Sequence, residues 1–188
     1  MRTEMLVLLV IHESGGRLQG KTLLQKRIYF LSKLLGIDLG YQAHYYGPYS
    51  PQVEEALAQA KGLGFVAEQT LGFGMGDGMG FEVRRYDYTL TDDGRQVVGR
   101  LRNLMPGECA KIRDALASLR EAGDTGDYVS LSVAAKTHHV LTERNAPMMT
   151  DDIRAAAEEF GWTIGPDAID KAISFLARLE LARQHGQQ

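Results

Sequence analysis

Two closely spaced prolines divide the first half of the chain into separate helical segments. The Gly47-Pro48 and Ser50-Pro51 pairs interrupt a helix-compatible pattern, because proline lacks the backbone N–H that a helix interior requires. Ser50 is a good N-cap, and Pro51 suits the first position of a new helix. The sequence therefore predicts one helix that ends before this turn and a second that begins at Pro51.

Apolar residues repeat at helical spacing on both sides of this turn. Before it they are Leu24, Ile28, Leu31 and Leu35. After it they are Val53, Leu57, Ala60 and Leu63, and Gly64 then supplies a left-handed stop. A 3.6-residue period of this kind predicts two amphipathic helices. The opposite face of the first helix is expected to be polar and solvent-exposed, and it carries Thr22, Gln25, Lys26, Tyr29 and Lys33.

Two strands joined by a glycine-rich tip are predicted after Gly64. Residues 65–70 alternate weakly between apolar and polar, and residues 81–89 alternate more clearly. Between them, residues 71–80 contain five glycines, which neither a helix nor a strand interior favours. Helix, turn, helix and then a hairpin is the order of a winged helix-turn-helix. The predicted fold class is mainly α with a small β-wing.

Three segments of the chain are predicted. Residues 1–94 form the winged helix-turn-helix, with a support helix from Thr3 to Glu13. Residues 95–127 form two connecting helices that Pro106 separates. Residues 128–188 form a helical C-terminal region.

The apolar pattern of the C-terminal region weakly repeats that of the first segment. Moving forward by 116 positions takes Val53 and its helical repeats onto Ile169 and its repeats. A second helix-turn-helix-like unit explains this match, and so does helical periodicity alone. Residues 180–183 are predicted to form a short strand that ends the unit.

The charge balance argues against a uniformly basic surface. The chain has 21 Lys and Arg residues against 24 Asp and Glu residues, a formal net charge of −3. A DNA-binding role would therefore require the cations to be concentrated on one face. Cys109 is the single cysteine, and no apolar run approaches the roughly 20 residues that span a bilayer. We expect a cytoplasmic protein that does not enter a membrane.

Two groups of side chains are candidate nucleic-acid contacts. Cations that could neutralise phosphates are Lys21, Lys26, Arg27 and Lys33 on the first helix and Arg84 and Arg85 on the returning strand. If the helix from Pro51 entered the major groove, its exposed face would present Gln52, Gln59 and Lys61. The same face carries Glu54 and Glu55, which repel phosphates. For this helix face we favour the interpretation as an ordinary solvated surface. For the cations a solvated basic face is an equally good explanation.

Three tyrosines beside the turn are candidate partner contacts. Tyr45, Tyr46 and Tyr49 are amphipathic aromatics of the kind enriched at interfaces. Packing over the hydrophobic core is the competing interpretation, and we favour it.

No motif for catalysis, metal or cofactor binding stands out. His138 and His139 are adjacent, so on a helix they point about 100° apart and are poorly placed to chelate one metal. The glycine tip lacks the Gly-Lys-Ser/Thr ending of a phosphate-binding loop. We expect no enzyme activity and no cofactor.

Short motifs in the first segment resemble a known family. Leu24-Gln25-Lys26, Tyr29-Phe30-Leu31 and Tyr46-Gly47-Pro48-Tyr49-Ser50 resemble the Leu-Gln-Lys, Tyr-Phe and Gly-Pro elements of Panacea-domain antitoxin-like proteins and related uncharacterised prokaryotic winged-helix proteins. The resemblance covers mainly residues 1–70, with a vaguer similarity around Phe160-Gly161-Trp162 and the last helix. It implies a DNA-associated regulator or the neutralising partner of a toxin.

Two functional hypotheses follow. The first is a winged-helix transcriptional regulator that binds double-stranded DNA as a homodimer. The second is an antitoxin or adaptor that binds and masks a protein partner such as a toxin. The acidic net charge and the Glu54-Glu55 pair support the second hypothesis.

Overall fold

The computed structural model describes residues 2–73 and 83–182, and the side chains of residues 71–73 and 83–85 are not described. Within these ranges the protein is mainly helical with a small antiparallel sheet. In chain order the elements are α1 Thr3–Glu13, β1 Arg17–Gln19, α2 Lys21–Leu34, α3 Pro51–Gly62, β2 Val66–Phe73, β3 Val83–Leu90, α4 Asp92–Leu104, α5 Pro106–Ala122, α6 Tyr128–Arg144, α7 Thr150–Glu159 and α8 Pro166–Arg178.

Local chemistry sets the ends of several helices as predicted. The Ser50 side chain accepts a hydrogen bond from Val53 N (3.2 Å) and caps α3. Gly64 follows that helix with a φ of +74°, which glycine adopts without steric cost. The Thr91 side chain caps α4 through Gly94 N (3.0 Å). These predictions from the sequence are confirmed.

The three strands form one sheet in the order β1-β3-β2. β2 and β3 pair antiparallel from Val66 opposite Leu90 to Phe73 opposite Val83, which confirms the predicted strand pair. Residues 71–73 belong to β2, and the rest of the predicted glycine tip lies outside the described residues. β1 was not predicted, because a three-residue strand with a single buried side chain, Leu18, has no measurable periodicity.

Helix α2 lies at the centre of the molecule and packs against α1, α5 and α6. All its residues from Leu23 to Ser32 are buried. The predicted exposed polar face is therefore wrong for Gln25, Lys26 and Tyr29, which are 1–2% exposed. Periodicity identified the apolar face correctly, but helices cover α2 on its other side as well.

The hydrophobic core extends through most of the chain. Its larger part contains buried residues from α1 to α6 and from α8. A smaller part lies between α6, α7 and α8, around the buried Trp162. Residues from 1–94, 95–127 and 128–188 thus contribute to one shared core.

The predicted strand at residues 180–183 is wrong for residues 180–182, which form a turn. Glu180 has a left-handed φ of +58°, and Leu181 N donates to Leu176 O (2.9 Å). This is a helix C-terminal motif that satisfies the last carbonyls of α8. No helix in the described ranges has the length and apolar character needed to cross a membrane.

We predict that Gly94→Ala strongly destabilises the fold. A Cβ at this position would lie 2.1 Å from the carbonyl oxygen of Phe65, so α4 would have to move away from the start of β2. We expect a loss of about 3 kcal/mol in the free energy of unfolding, measured by urea denaturation.

Gly99→Ala in the same helix is the matched control. A Cβ at Gly99 meets no atom within 4 Å, so the higher helix propensity of alanine should stabilise the protein by up to about 1 kcal/mol. An unfolding free energy for Gly94→Ala equal to that of the wild type would contradict the close packing of α4 on Phe65.

Candidate functional site

The segment between α2 and α3 forms a closed turn, which we call the aromatic turn and define as residues 42–50. Gln42 and Tyr49 pair as an antiparallel bridge with N···O distances of 3.0 and 2.9 Å. Within the turn, Gly47 N donates to His44 O (2.8 Å), and Gly47 has a φ of +92°. Backbone hydrogen bonds therefore set the shape of the turn.

Gln25 of α2 binds the end of the aromatic turn through both ends of its amide. Its Nε2 donates to Ser50 O (3.0 Å), and Ser50 N donates to its Oε1 (3.1 Å). Both residues are buried. Ser50 Oγ also donates to Leu39 O (2.5 Å). The Leu-Gln-Lys and Gly-Pro-Tyr-Ser motifs are thus direct structural partners.

Lys26 of α2 contacts the buried side of the same turn. Its side chain is buried, and Nζ donates to Pro48 O (2.7 Å). Among the described residues no carboxylate forms an ion pair with this amine. Burial, followed by the nearby Lys136, lowers the pKa of Lys26 to about 7. A large fraction of the amine is therefore uncharged at neutral pH.

The C-terminal region holds the other side of the aromatic turn. The indole Nε1 of Trp162 donates to His44 O (2.8 Å). Lys136 of α6 lies with Nζ 5.6 Å from the centroid of the Trp162 ring. Its Cγ is 3.0 Å from the position that a Cβ on Gly47 would occupy. The turn is therefore held between α2 and the α6–α7 region.

Two of the three tyrosines project from the turn into solvent. Tyr45 is 74% exposed and Tyr46 is 58% exposed. Their ring centroids lie 4.9 Å apart, nearly perpendicular. Tyr49 is half-buried beside His44. The expectation that the tyrosines pack over the core is wrong for Tyr45 and Tyr46, because Gly47, Pro48 and Ser50 fill the buried side of the turn.

Most of the predicted phosphate contacts on helices are engaged within the protein. Lys21 Nζ pairs with Glu54 Oε1, and Lys61 Nζ pairs with Glu68 Oε2, both at 2.7 Å. Arg27 is buried and pairs through Nε with Asp124 Oδ2, also at 2.7 Å. The predictions that Lys26 and Arg27 lie on an exposed surface are wrong, since both serve internal hydrogen bonds.

The remaining predicted contacts lie on α2, α3 and β3. Lys33 is exposed and lies 5.3 Å from the centroid of the Tyr29 ring. Gln52 and Gln59 are exposed on α3, where Gln59 donates to Glu55 Oε1 (3.3 Å). Arg84 and Arg85 have backbones in β3, but their side chains lie outside the described residues.

The histidine pair serves packing. His138 is buried, and its Nδ1 shares a 2.7 Å hydrogen bond with the hydroxyl of Tyr29. Burial is the main cause that lowers the pKa of His138, to about 4, followed by Lys33 and His139. His139 contacts the rings of Phe160 and Trp162. Across residues 2–73 and 83–182, no group of three or more His, Cys, Asp or Glu side chains is placed to hold a metal.

Sequence reasoning missed three residues that position the aromatic turn: Gln25, Lys136 and Trp162. The signal for Gln25 was present, because it lies inside a motif that the resemblance singled out. Lys136 and Trp162 are distant in sequence from the turn; Lys136 carries no local signal, and Trp162 lies in the vaguer part of the resemblance. No protein-family model matches the chain, and no curated protein matches it. The resemblance to Panacea-domain antitoxin-like proteins therefore stays a prediction.

We predict that Lys26 makes the stability of the protein depend on pH above neutrality. The pKa of Lys26 is about 7 in the folded protein, against 10.5 for an unperturbed lysine. Between these values the unfolded chain binds a proton that the folded protein does not, so stability rises with pH. The rise from this group is up to about 1.4 kcal/mol per pH unit.

Lys26→Met should remove this rise, whatever its effect on absolute stability. The measurement is the free energy of unfolding in urea at several values from pH 7 to pH 10. Lys111→Met, at an exposed position of α5, should keep the wild-type slope. Equal slopes for the wild type and Lys26→Met would show that the amine is not held in a poorly solvated site.

Proposed function

We propose that this protein is a protein-binding module, an antitoxin or adaptor, that binds and masks a partner through the aromatic turn. The observation that carries the proposal is the pair of exposed, mutually packed side chains Tyr45 and Tyr46 on a turn that is anchored from both sides. Tyrosine is among the residues that contribute most to binding at interfaces.

Anchoring of the turn supports this function energetically. Association costs free energy for every segment that must be ordered on binding. The backbone of the aromatic turn is already fixed by the Gln42–Tyr49 bridge, by Lys26 at Pro48 O and by Trp162 at His44 O. Partner binding would therefore have to order little beyond the side chains of Tyr45 and Tyr46.

The charges on α3 also favour a protein partner. The face that would enter a DNA groove carries Glu54 and Glu55, and the nearby cations Lys21 and Lys61 are paired with carboxylates. Phosphates would have to compete with these ion pairs. The motifs that resemble Panacea-domain antitoxin-like proteins are the ones that build the aromatic turn, which is consistent with a neutralising role in the cytoplasm.

We predict that a photo-reactive benzoylphenylalanine at position 46 cross-links a specific protein in cells that naturally express the chain. The same group at Leu104, which is 78% exposed on α4, is the matched control and should not give that product. The products are separated by denaturing electrophoresis and identified by mass spectrometry. Adding Tyr45→Ala should reduce the yield, because the neighbouring ring is lost.

Two outcomes would contradict the proposed function. The first is an identical product pattern from positions 46 and 104, which would indicate random collisions. The second is a product at position 46 that nuclease treatment removes, which would place nucleic acid at the turn.

DNA binding is the second candidate, and one observation favours it. The element order α1-β1-α2-α3-β2-β3, with sheet order β1-β3-β2, is the order expected of a winged helix, which we propose as the finer fold class. In this candidate α3 would present Gln52 and Gln59 to bases, and Arg84 and Arg85 would contact phosphates. A homodimer is the form we propose for such a regulator.

For this candidate we predict a defined salt effect of Arg84→Ala combined with Arg85→Ala. If both arginines contact phosphates, the slope of log affinity against log salt concentration should become shallower by about 1.8, or about 0.9 per contact. Fluorescence anisotropy with a duplex of random sequence measures the slope. Arg100→Ala with Lys111→Ala, at exposed positions of α4 and α5, is the charge-matched control. Equal slopes in the two double variants would reject the wing as a phosphate contact.

A further inference from the structure

We infer that the partner of the aromatic turn is acidic: it presents a carboxylate to Lys136 beside an apolar group that packs on Tyr45 and Tyr46. This inference rests on the proposed function and adds the chemistry of the partner. It is based on two lysines at the turn, Lys26 and Lys136, that form no ion pair with a carboxylate among the described residues.

Lys136 is the cation that lies against the turn. It is half-buried, its stem packs against Gly47, and its amine lies over the Trp162 ring. In the part of the chain that the structure describes, Lys136 has no ion-pair partner, whereas Lys21 and Lys61 each have a carboxylate at 2.7 Å. An amine that contacts an aromatic ring on one side remains charged and can bind a carboxylate on its other side.

Lys26 is a second amine at the turn that forms no ion pair with a carboxylate among the described residues. Its amine lies under the turn, close enough to Lys136 for the two to repel, and no carboxylate offsets the pair among the described residues. A carboxylate that reaches Lys136 from outside would favour the charged form of both amines. The free energy gained from this ion pair would add to the free energy gained by burying the rings of Tyr45 and Tyr46.

Lys33 extends the positive region along the seam between α2 and α6. It is exposed over the Tyr29 ring and acts electrostatically on His138 and His139 of α6. Glu143 is the anion at this end of the seam, where it acts on Tyr29 and His139. Glu143 is thus near Lys33, whereas Lys136 has no ion-pair partner among the described residues, which points to the turn end of the seam as the place for a partner carboxylate.

An acidic protein segment fits this surface better than a nucleic acid. A duplex presents a continuous series of phosphates and requires several exposed cations in a row. The described surface offers Lys136 at the turn and Lys33 farther along the seam, while helix α3, which adjoins the turn, carries Glu54 and Glu55. One or two carboxylates flanking an aromatic or aliphatic side chain match what is present.

A random peptide library displayed on phage and selected on the immobilised full chain tests the inference. We expect the selected peptides to be enriched in Asp and Glu next to large apolar residues. Lys136→Glu should reduce the binding of these peptides about tenfold, since a desolvated charge pair becomes a repulsion. Lys136→Gln, which keeps the stem against Gly47, should give a smaller loss. Lys171→Glu, an exposed charge reversal on α8, should leave binding unchanged.

The outcomes separate this inference from the proposed function. Selected peptides that depend on Tyr45 and Tyr46 but show no acidic enrichment, or bind Lys136→Glu as well as wild type, overturn the acidic partner and leave the proposed function standing. Peptides that bind a Tyr45→Ala, Tyr46→Ala variant unchanged overturn both. Failure to select any peptide, or displacement of the peptides by duplex DNA at low salt, also overturns the inference.

Discussion

The two-sided hydrogen bond between Gln25 and Ser50 is the interaction on which the arrangement of the first half of the chain depends. It satisfies the buried N–H of Ser50, and it gives the Ser50 C=O a second donor beside Glu54 N (3.2 Å). A buried backbone group without a partner costs about 1–3 kcal/mol. The amide of Gln25 prevents this loss at Ser50 N–H and at the same time fixes α3 against α2.

Ser50 links three parts of the molecule through this arrangement. Its backbone binds Gln25, its hydroxyl donates to Leu39 O, and the same oxygen caps α3 at Val53 N. The aromatic turn lies between these anchors, so its shape is set by the core. Tyr45 and Tyr46 are exposed because the buried side of the turn is occupied, so the proposed partner would meet a surface that is already formed.

The sequence predicted the features of the fold that depend on local chemistry. The N-caps Ser50 and Thr91, the start of α3 at Pro51 and the stop at Gly64 each follow from the conformational preference of one residue. Burial of the polar side of α2 could not be predicted in this way. Helical periodicity identifies one apolar face, but it contains no information on whether helices from later in the chain, here α5 and α6, pack against the other side. Lys26 was misplaced for this reason, and the contact of Trp162 with His44 could not be predicted from residues 118 positions apart.

The buried lysine connects the stability of the turn with its proposed role. The Lys26 amine has one hydrogen-bond acceptor, Pro48 O, and a second lysine nearby. Its charged form is unfavourable there, because burial and the charge of Lys136 both oppose it. An apolar side chain of the same length would avoid that cost but could not bind the carbonyl or contribute charge. If the proposed acidic partner placed a carboxylate at Lys136, part of the free energy lost to repulsion between Lys26 and Lys136 would be recovered. Binding of that partner and uptake of a proton by the two lysines would then be thermodynamically linked, each favouring the other by the same free energy.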